Sequence, residues 1–173
     1  MAETAHLGVI VKTVGLKGDV KLNPGHDFWP DALGAESLSI VLGEEVERSV
    51  RVESYRPSGG AFVLRVAGVE TIDAAKALVG RSLELPLDAL GEVPLPDGPL
   101  PCQFMGLRVL LADGSTVGVV VDMLLGPAQD CFIVEREGER YLVPNVPGLI
   151  RRTNLEERFV EIDPPEGLLD LRW

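Results

Sequence analysis

The chain is 173 residues long, 46% of its residues are apolar, and its formal net charge is −11. This length and apolar content suffice for a packed core, whereas the acidic charge argues against a protein that coats nucleic acid broadly, because phosphate backbones would repel it. No apolar run approaches the ~18 residues of a membrane-spanning helix, so we expect no membrane partner.

The N-terminus and the cysteines predict the compartment. The first six residues lack the basic and apolar regions of a secretory signal. Cys102 and Cys131 are the two cysteines, and such isolated thiols fit a reducing cytoplasm better than a disulfide framework. His6 and His26 lie too far from them in sequence to suggest a zinc site. We therefore predict a cytoplasmic protein that needs no metal and no cofactor.

The chain opens with a predicted β-hairpin whose turn is rich in glycine. Residues 7–12 predict the first strand, and residues 19–22, where apolar and charged side chains alternate, predict the second. Gly15 and Gly18 lie in the turn between them, a spacing that indicates backbone angles unfavourable for residues with a Cβ atom. The turn leads into a strand and not into a helix N-terminus, which argues against a phosphate-binding loop.

Lysines cluster around this hairpin. Lys12 and Lys17 are predicted near its tip, and Lys21 points from its second strand. A basic loop beside a barrel could contact an RNA backbone, although ordinary solvated lysines would give the same spacing. The pattern leaves both interpretations open.

The rest of the first half predicts strands and one helix. Alternating or short apolar runs predict strands at residues 38–42 (ending at Gly43), 48–55, 61–66 and 82–85. Residues 71–79 predict a helix that Thr71 caps at its N-terminus and Gly80 at its C-terminus. Prolines are then dense between residues 86 and 101, which predicts a semi-extended linker.

The second half returns to a β pattern. Two hairpins and a final strand are predicted at residues 107–111 with 117–125, 131–136 with 140–143, and 159–163. Closely spaced short strands are typical of closed barrels or sandwiches. We predict a mostly all-β chain with a first barrel domain at 1–88 containing one short helix, a linker at 89–100, and a second barrel domain at 101–173.

Catalytic motifs are not visible. No nucleophile elbow, Walker loop or dinucleotide-binding motif is present. His26 lies beside two aromatic residues, and a loop that packs over a barrel end explains this more simply than a ligand pocket. The basic pair at residues 151–152 could likewise contact RNA or be ordinary solvated side chains. The C-terminal run 163–171 either packs back on its own domain or forms an exposed docking tail.

Four stretches carry a family resemblance as a set: residues 8–22, 106–120, 142–147 and 166–169. They are similar, in this order, to an opening G-x-I-x-K-x-H-G-L-K-G-E-V, the start of a PRC-type barrel, an L-I-P-F-V and a closing P-E-G-L-L. This combination, with a proline-rich segment between two barrels, resembles the RimM family of ribosome maturation factors.

The resemblance implies a monomeric assembly factor and no enzyme. Such a factor binds the immature small (30S) ribosomal subunit near its head, through the basic ribosomal protein S19, and assists the processing and folding of 16S rRNA. The candidate contacts with the subunit or its RNA are Lys12, Gly15, Leu16, Lys17, Gly18 and Lys21. The candidates for docking to the ribosomal protein are Cys102, Phe104, Asn145, Arg151, Leu168 and Leu169.

Several positions depart from the family pattern. Val14 stands where histidine is frequent, and Pro101-Cys102 stands where many members carry an aromatic pair associated with ribosomal-protein docking. Phe104 could replace part of that aromatic surface, and Asn145 also replaces an aromatic residue. Two other functions stay open: a PRC-barrel regulator that binds a small molecule or another protein complex, and an RNA-modifying enzyme.

Overall fold

The computed structural model describes residues 3–42 and 45–173, and the chain divides into two compact units, Met1–Cys102 and Gln103–Trp173. One antiparallel sheet of seven strands forms most of the first unit, and one sheet of six strands forms most of the second. Helices are few and short. The predicted fold class is confirmed.

The first sheet has the strand order β4-β3-β7-β1-β2-β6-β5. Its strands are β1 (Thr4–Val14), β2 (Asp19–Pro24), β3 (Ser39–Leu42), β4 (Glu45–Ser49), β5 (Val52–Ser58), β6 (Ala61–Val66) and β7 (Ser82–Pro86). The helix α1 (Ile72–Lys76) precedes β7, and 3-10 helices span Pro30–Gly34 and Leu87–Glu92. Gly43, which was predicted to end the third strand, lies outside the described residues.

The N-terminal hairpin forms as its alternation predicts. Ile10, Val20 and Leu22 are fully buried on the inner face, and Val14 pairs with Asp19 to close the turn. A bulge between Ile10 and Lys12 shifts the register of β1 by one residue. Because of this bulge, Lys12 lies on the outer face of the hairpin, opposite Lys21.

Two predicted elements differ in extent. The single strand expected at residues 48–55 is instead the end of β4 and the start of β5, because the N–H of buried Val50 donates to the carbonyl of Leu38 and the chain then pairs with β6. The helix is shorter than residues 71–79. Its predicted N-terminal cap is confirmed, since the Thr71 hydroxyl accepts from the Ala74 N–H at 3.2 Å. The predicted C-terminal cap at Gly80 is wrong, because the helix ends at Lys76 and Ala77 is its C-cap.

The proline-rich segment packs on the first unit. Leu90 and Leu100 are buried in the core of that unit, and Trp29 Nε1 donates to the carbonyl of Pro94 at 2.8 Å. Apolar residues between the prolines explain this burial, because exposing them would leave apolar surface in water. Residues 89–100 thus lie within the first compact unit, while the domain limits given above stay predictions.

The second sheet has the order β11-β10-β9-β8-β13-β12, in which only the β8–β13 pair is parallel. Its strands are β8 (Arg108–Leu111), β9 (Thr116–Leu124), β10 (Cys131–Arg136), β11 (Glu139–Pro144), β12 (Ile150–Asn154) and β13 (Phe159–Ile162). The short helix α2 (Pro101–Phe104) precedes β8, and a 3-10 helix spans Leu168–Asp170. Fully buried Phe132 lies in the core of this unit.

Candidate contact surfaces

The hairpin turn presents two side chains to solvent. Gly15 and Gly18 adopt φ angles of +66° and +92°, which glycine tolerates best. A Cβ atom on Gly18 would lie 2.4 Å from the carbonyl oxygen of Val69, so the turn packs tightly on that backbone. Between the glycines, Leu16 is 80% exposed and Lys17 is exposed.

The surroundings of Lys17 carry both signs of charge. Lys17 lines a shallow cavity of about 300 Å³ together with Glu53, Glu70 and Arg65. Arg65 forms a two-point ion pair with Asp19, at 2.9 and 3.2 Å. Carboxylates beside Lys17 weaken its attraction for a phosphate, so the tip by itself is a modest anion site.

Lys12 and Lys21 lie side by side on the outer face of the first sheet. They are cross-strand partners in β1 and β2. Lys21 is also the partner of Val63 in β6, and Val63 is the partner of Arg56 in β5. Directly paired residues share one face of a sheet, so three cations lie at one level across four adjacent strands. We call Lys12, Lys21 and Arg56 the cation row.

The cation row lacks carboxylate partners. Among the described residues, none of its three members takes part in an ion pair. Val63, which lies between Lys21 and Arg56, is 5% exposed and lies outside the core cluster. The row is therefore an outward band of positive charge on an acidic chain.

Arg56 is the residue that the sequence reasoning missed. The predicted strand stopped one residue before it. The Gly59-Gly60 turn could have located Arg56 in the sequence. Both glycines have positive φ angles, and the turn fixes the register of the β5–β6 hairpin. Counting back from that turn sets Arg56 opposite Val63.

The two docking candidates in α2, Cys102 and Phe104, make contacts within the protein. Phe104 is 5% exposed, and its ring centroid lies 4.9 Å from that of Phe132. It therefore belongs to the core of the second unit and does not replace an exposed aromatic pair. Cys102 packs against the core of the first unit, and its backbone N–H donates to Asp27 Oδ1 at 2.8 Å.

Asn145 and Arg151 lie on different elements of the second unit. Asn145 follows β11, is half-buried, and donates its backbone N–H to the carbonyl of Asp130 at 2.8 Å. Arg151 is exposed on the edge strand β12 and forms an ion pair with Asp163. Both side chains remain accessible at least in part.

The C-terminal segment packs back on its own unit. Leu168 and Leu169 are half-buried against the second core. Arg172 forms an isolated β-bridge with Tyr141, and its side chain pairs with Glu139 at 2.6 Å. The segment is thus ordered along the edge strand β11.

A polar cluster joins β1 to its neighbours in the first unit. His6 Nδ1 lies 2.7 Å from Glu84 Oε1, and the Thr4 hydroxyl donates to Glu84 Oε2 at 2.8 Å. Asp27 is buried and accepts from two backbone N–H groups, those of His6 at 2.9 Å and Cys102 at 2.8 Å. These hydrogen bonds tie β1 to β7 and to the segments around Asp27 and Cys102.

The His6–Glu84 pair shifts both pKa values. The hydrogen bond to Glu84 raises the pKa of His6 above 6.5, against the opposite effect of burial. Burial raises the pKa of Glu84, but hydrogen bonds from His6 and Thr4 outweigh it and hold the pKa below 4.5. Stability from His6 is therefore complete below pH 6.5 and lost as the pH rises through its folded pKa, while that from Glu84 is lost as the pH falls below 4.5.

We expect His6→Asn to reduce stability in a pH-dependent way. Its deficit relative to the parent chain is largest between about pH 5 and 6.5 and shrinks by up to about 1 kcal/mol towards pH 8, because the half-exposed pair is screened by solvent. Urea denaturation at a series of pH values measures this. His26→Asn, at an exposed position, is the control. A constant deficit for His6→Asn from pH 6 to 8 would refute the prediction.

The described ranges contain neither a membrane-spanning helix nor a metal-binding cluster. No helix in residues 3–42 and 45–173 has the length and apolar character needed to span a membrane. In the same part of the chain, no three histidine, cysteine, aspartate or glutamate side chains converge in a way that could hold a metal ion.

Comparison with known proteins covers both units. Residues 5–90 match the RimM N-terminal domain, and residues 101–168 match the RimM PRC barrel domain. A relative from Synechococcus sp. (strain WH7803), named ribosome maturation factor RimM, is 35% identical over an alignment of 174 positions that covers 95% of this chain and 95% of the relative.

Two solved structures are also similar. One is the crystal structure of a putative 16S ribosomal RNA processing protein RimM from Pseudomonas aeruginosa, with 20% identity, a TM-score of 0.47, and coverage of 94% of this chain and 98% of that one. The other is the N-terminal domain of RimM from Thermus thermophilus, with 24% identity, a TM-score of 0.40, and coverage of 50% and 93%. On the two domain matches and the full-length relative, the chain belongs to the RimM family of ribosome maturation factors.

Proposed function

We propose that this chain is a non-catalytic, monomeric assembly factor of the cytoplasm. It binds the immature small (30S) ribosomal subunit near its head, through ribosomal protein S19, and assists the processing and folding of 16S rRNA. The observation that carries the proposal is the 35% identity, over 95% of the chain, to a relative named ribosome maturation factor. The RimM N-terminal match at residues 5–90 argues against a PRC-barrel regulator of another kind.

The mechanism is thermodynamic. A factor that binds one conformer of the subunit head more tightly than the others shifts the population towards that conformer. The shift can be no larger than the difference in affinity, so a tenfold preference changes the ratio of conformers tenfold. No bond needs to be made or broken by the factor itself.

The second unit supplies the proposed contact with the ribosomal protein. Of the six candidates, Phe104 is buried, whereas Asn145, Arg151, Leu168 and Leu169 of the second unit keep accessible surface. Cys102 is half-buried and belongs to the first unit. The ordered tail adds Leu171 and Trp173, which are 68% and 61% exposed. Tryptophan is among the residues that contribute most binding energy at protein interfaces.

A capture experiment tests the proposal. The tagged full chain is mixed at modest salt with immature small subunits, and separately with purified ribosomal protein S19. We expect both to be retained. If the chain retained neither the immature subunits nor S19, the proposed function would be wrong.

Removing the tail anchors tests the docking surface. We expect Leu171→Ala with Trp173→Ala to weaken capture of S19 at least tenfold, because two exposed apolar side chains leave the interface. Thermal melting should change little. Leu95→Ala, which truncates a 53% exposed leucine of the first unit, is the control and should bind like the parent chain. Unchanged capture by the tail variant would show that docking lies elsewhere.

A further inference from the structure

We infer that the outer face of the first sheet binds RNA through the phosphate backbone, at the cation row of Lys12, Lys21 and Arg56. The inference rests on the proposed function, because it takes the RNA of the maturing subunit as the ligand. It goes beyond that function because it assigns the RNA contact to one face of the first sheet, adds Arg56 to Lys12 and Lys21, and specifies that phosphates are contacted.

The geometry of the row suits an extended polyanion. Its members lie on β1, β2 and β5 with Val63 of β6 between them, and the cross-strand pairs set all of these at one level. Three steps between neighbouring strands span about 14 Å. A backbone that crosses the strands at this level can meet two ammonium groups and one guanidinium in succession, and guanidinium binds phosphate with two parallel hydrogen bonds.

The charged residues near the cation row do not cancel its positive potential. On the next level of the same face, Asp19 is neutralised by Arg65 at 2.9 Å. On the other side, Asn23 and Ser58 are uncharged. With no described carboxylate paired to the row, its positive potential is not cancelled locally, even though the chain as a whole is acidic.

The mode of binding follows from what the face lacks. The aromatic residues of this region contact one another around Phe62, whose ring centroid lies 4.7 Å from that of Phe28 and 6.1 Å from that of Tyr55. Phe62 pairs with Leu22 of the inner face, so this group lies on the side opposite the row. Without aromatic platforms the row contacts phosphates and does not read bases.

The test compares two triple variants of the full chain. The row variant carries Lys12→Gln, Lys21→Gln and Arg56→Gln. The control variant carries Arg48→Gln, Arg51→Gln and Lys76→Gln, all at exposed positions outside the row. Each removes three positive charges and takes the formal net charge from −11 to −14. Thermal melting checks that both variants fold.

The readout is the salt dependence of binding to 16S rRNA transcribed in vitro. Each phosphate contact contributes about 0.7–0.9 to the slope of log affinity against log salt concentration. We expect the row variant to lose about 2–3 from this slope and at least tenfold in affinity at low salt, while the control variant keeps the parent slope. An unchanged slope in the row variant, or an equal loss in the control, would overturn the inference.

Parallel capture of immature subunits separates this inference from the proposed function. If the parent chain retains subunits but the row variant keeps its slope, the inference fails and the function stands. If the slope falls as expected but the parent chain retains no subunits, the function fails. If the row variant keeps its slope yet retains fewer immature subunits than the parent chain, the face binds protein and the inference is wrong.

Discussion

Asp27→Ala is expected to lower the free energy of unfolding of the first unit by about 2–4 kcal/mol. The carboxylate is 5% exposed and accepts from the N–H groups of His6 and Cys102, at 2.9 and 2.8 Å. Truncation leaves both donors without their acceptor, and a partly buried unsatisfied donor costs about 1–3 kcal/mol.

Urea denaturation of three variants measures the effect. Asp27→Asn keeps one carbonyl oxygen and should lose roughly half as much stability as the alanine variant. Asp97→Ala removes an exposed carboxylate and should change stability by less than about 0.5 kcal/mol. Equal stability for the Asp27 and Asp97 alanine variants would show that the two hydrogen bonds contribute nothing.

Gly18→Ala is expected to cost about 2–4 kcal/mol, far more than the same change at Gly15. The φ angle of +92° is itself unfavourable for alanine by about 1–2 kcal/mol. The new Cβ atom would also lie 2.4 Å from the carbonyl oxygen of Val69, so the turn has to move away from that backbone. Overpacking of this kind adds about 1–3 kcal/mol.

Gly15→Ala is the matched control for the second effect. Gly15 also has a positive φ angle, +66°, but a Cβ atom there would meet no atom within 4 Å. It should therefore lose only the conformational term of about 1–2 kcal/mol. Thermal or urea unfolding of the two variants gives the comparison, and equal losses would contradict the close approach to Val69.

The strands with regular alternation could be predicted from the sequence. β2 buries every second residue, Val20 and Leu22, and the glycine-rich turn before it fixes its hairpin with β1. β12 was missed because Ile150-Arg151-Arg152-Thr153-Asn154 has almost no apolar residue to mark a buried face. Its neighbour β13 pairs in parallel with β8, a contact between residues about 50 positions apart that local patterns do not encode.

The candidate site could be predicted only in part, because the sequence shows local patterns but not contacts between distant segments. Lys12 and Lys21 are visible as lysines beside a turn, but their alignment with Arg56 requires the register of two hairpins. The burial of Phe104 against Phe132 depends on tertiary packing. The two hydrogen bonds of Asp27 join segments distant in sequence, so no motif announces them.

Crosslinking of the purified chain to immature small subunits, followed by mapping of the linked sites, tests the central claim most directly. We expect crosslinks from the second unit to ribosomal protein S19 at the subunit head, and crosslinks from the cation row to 16S rRNA. If the chain forms no crosslinks above those of an unrelated acidic protein of similar size, it does not bind the subunit and the proposed function is wrong.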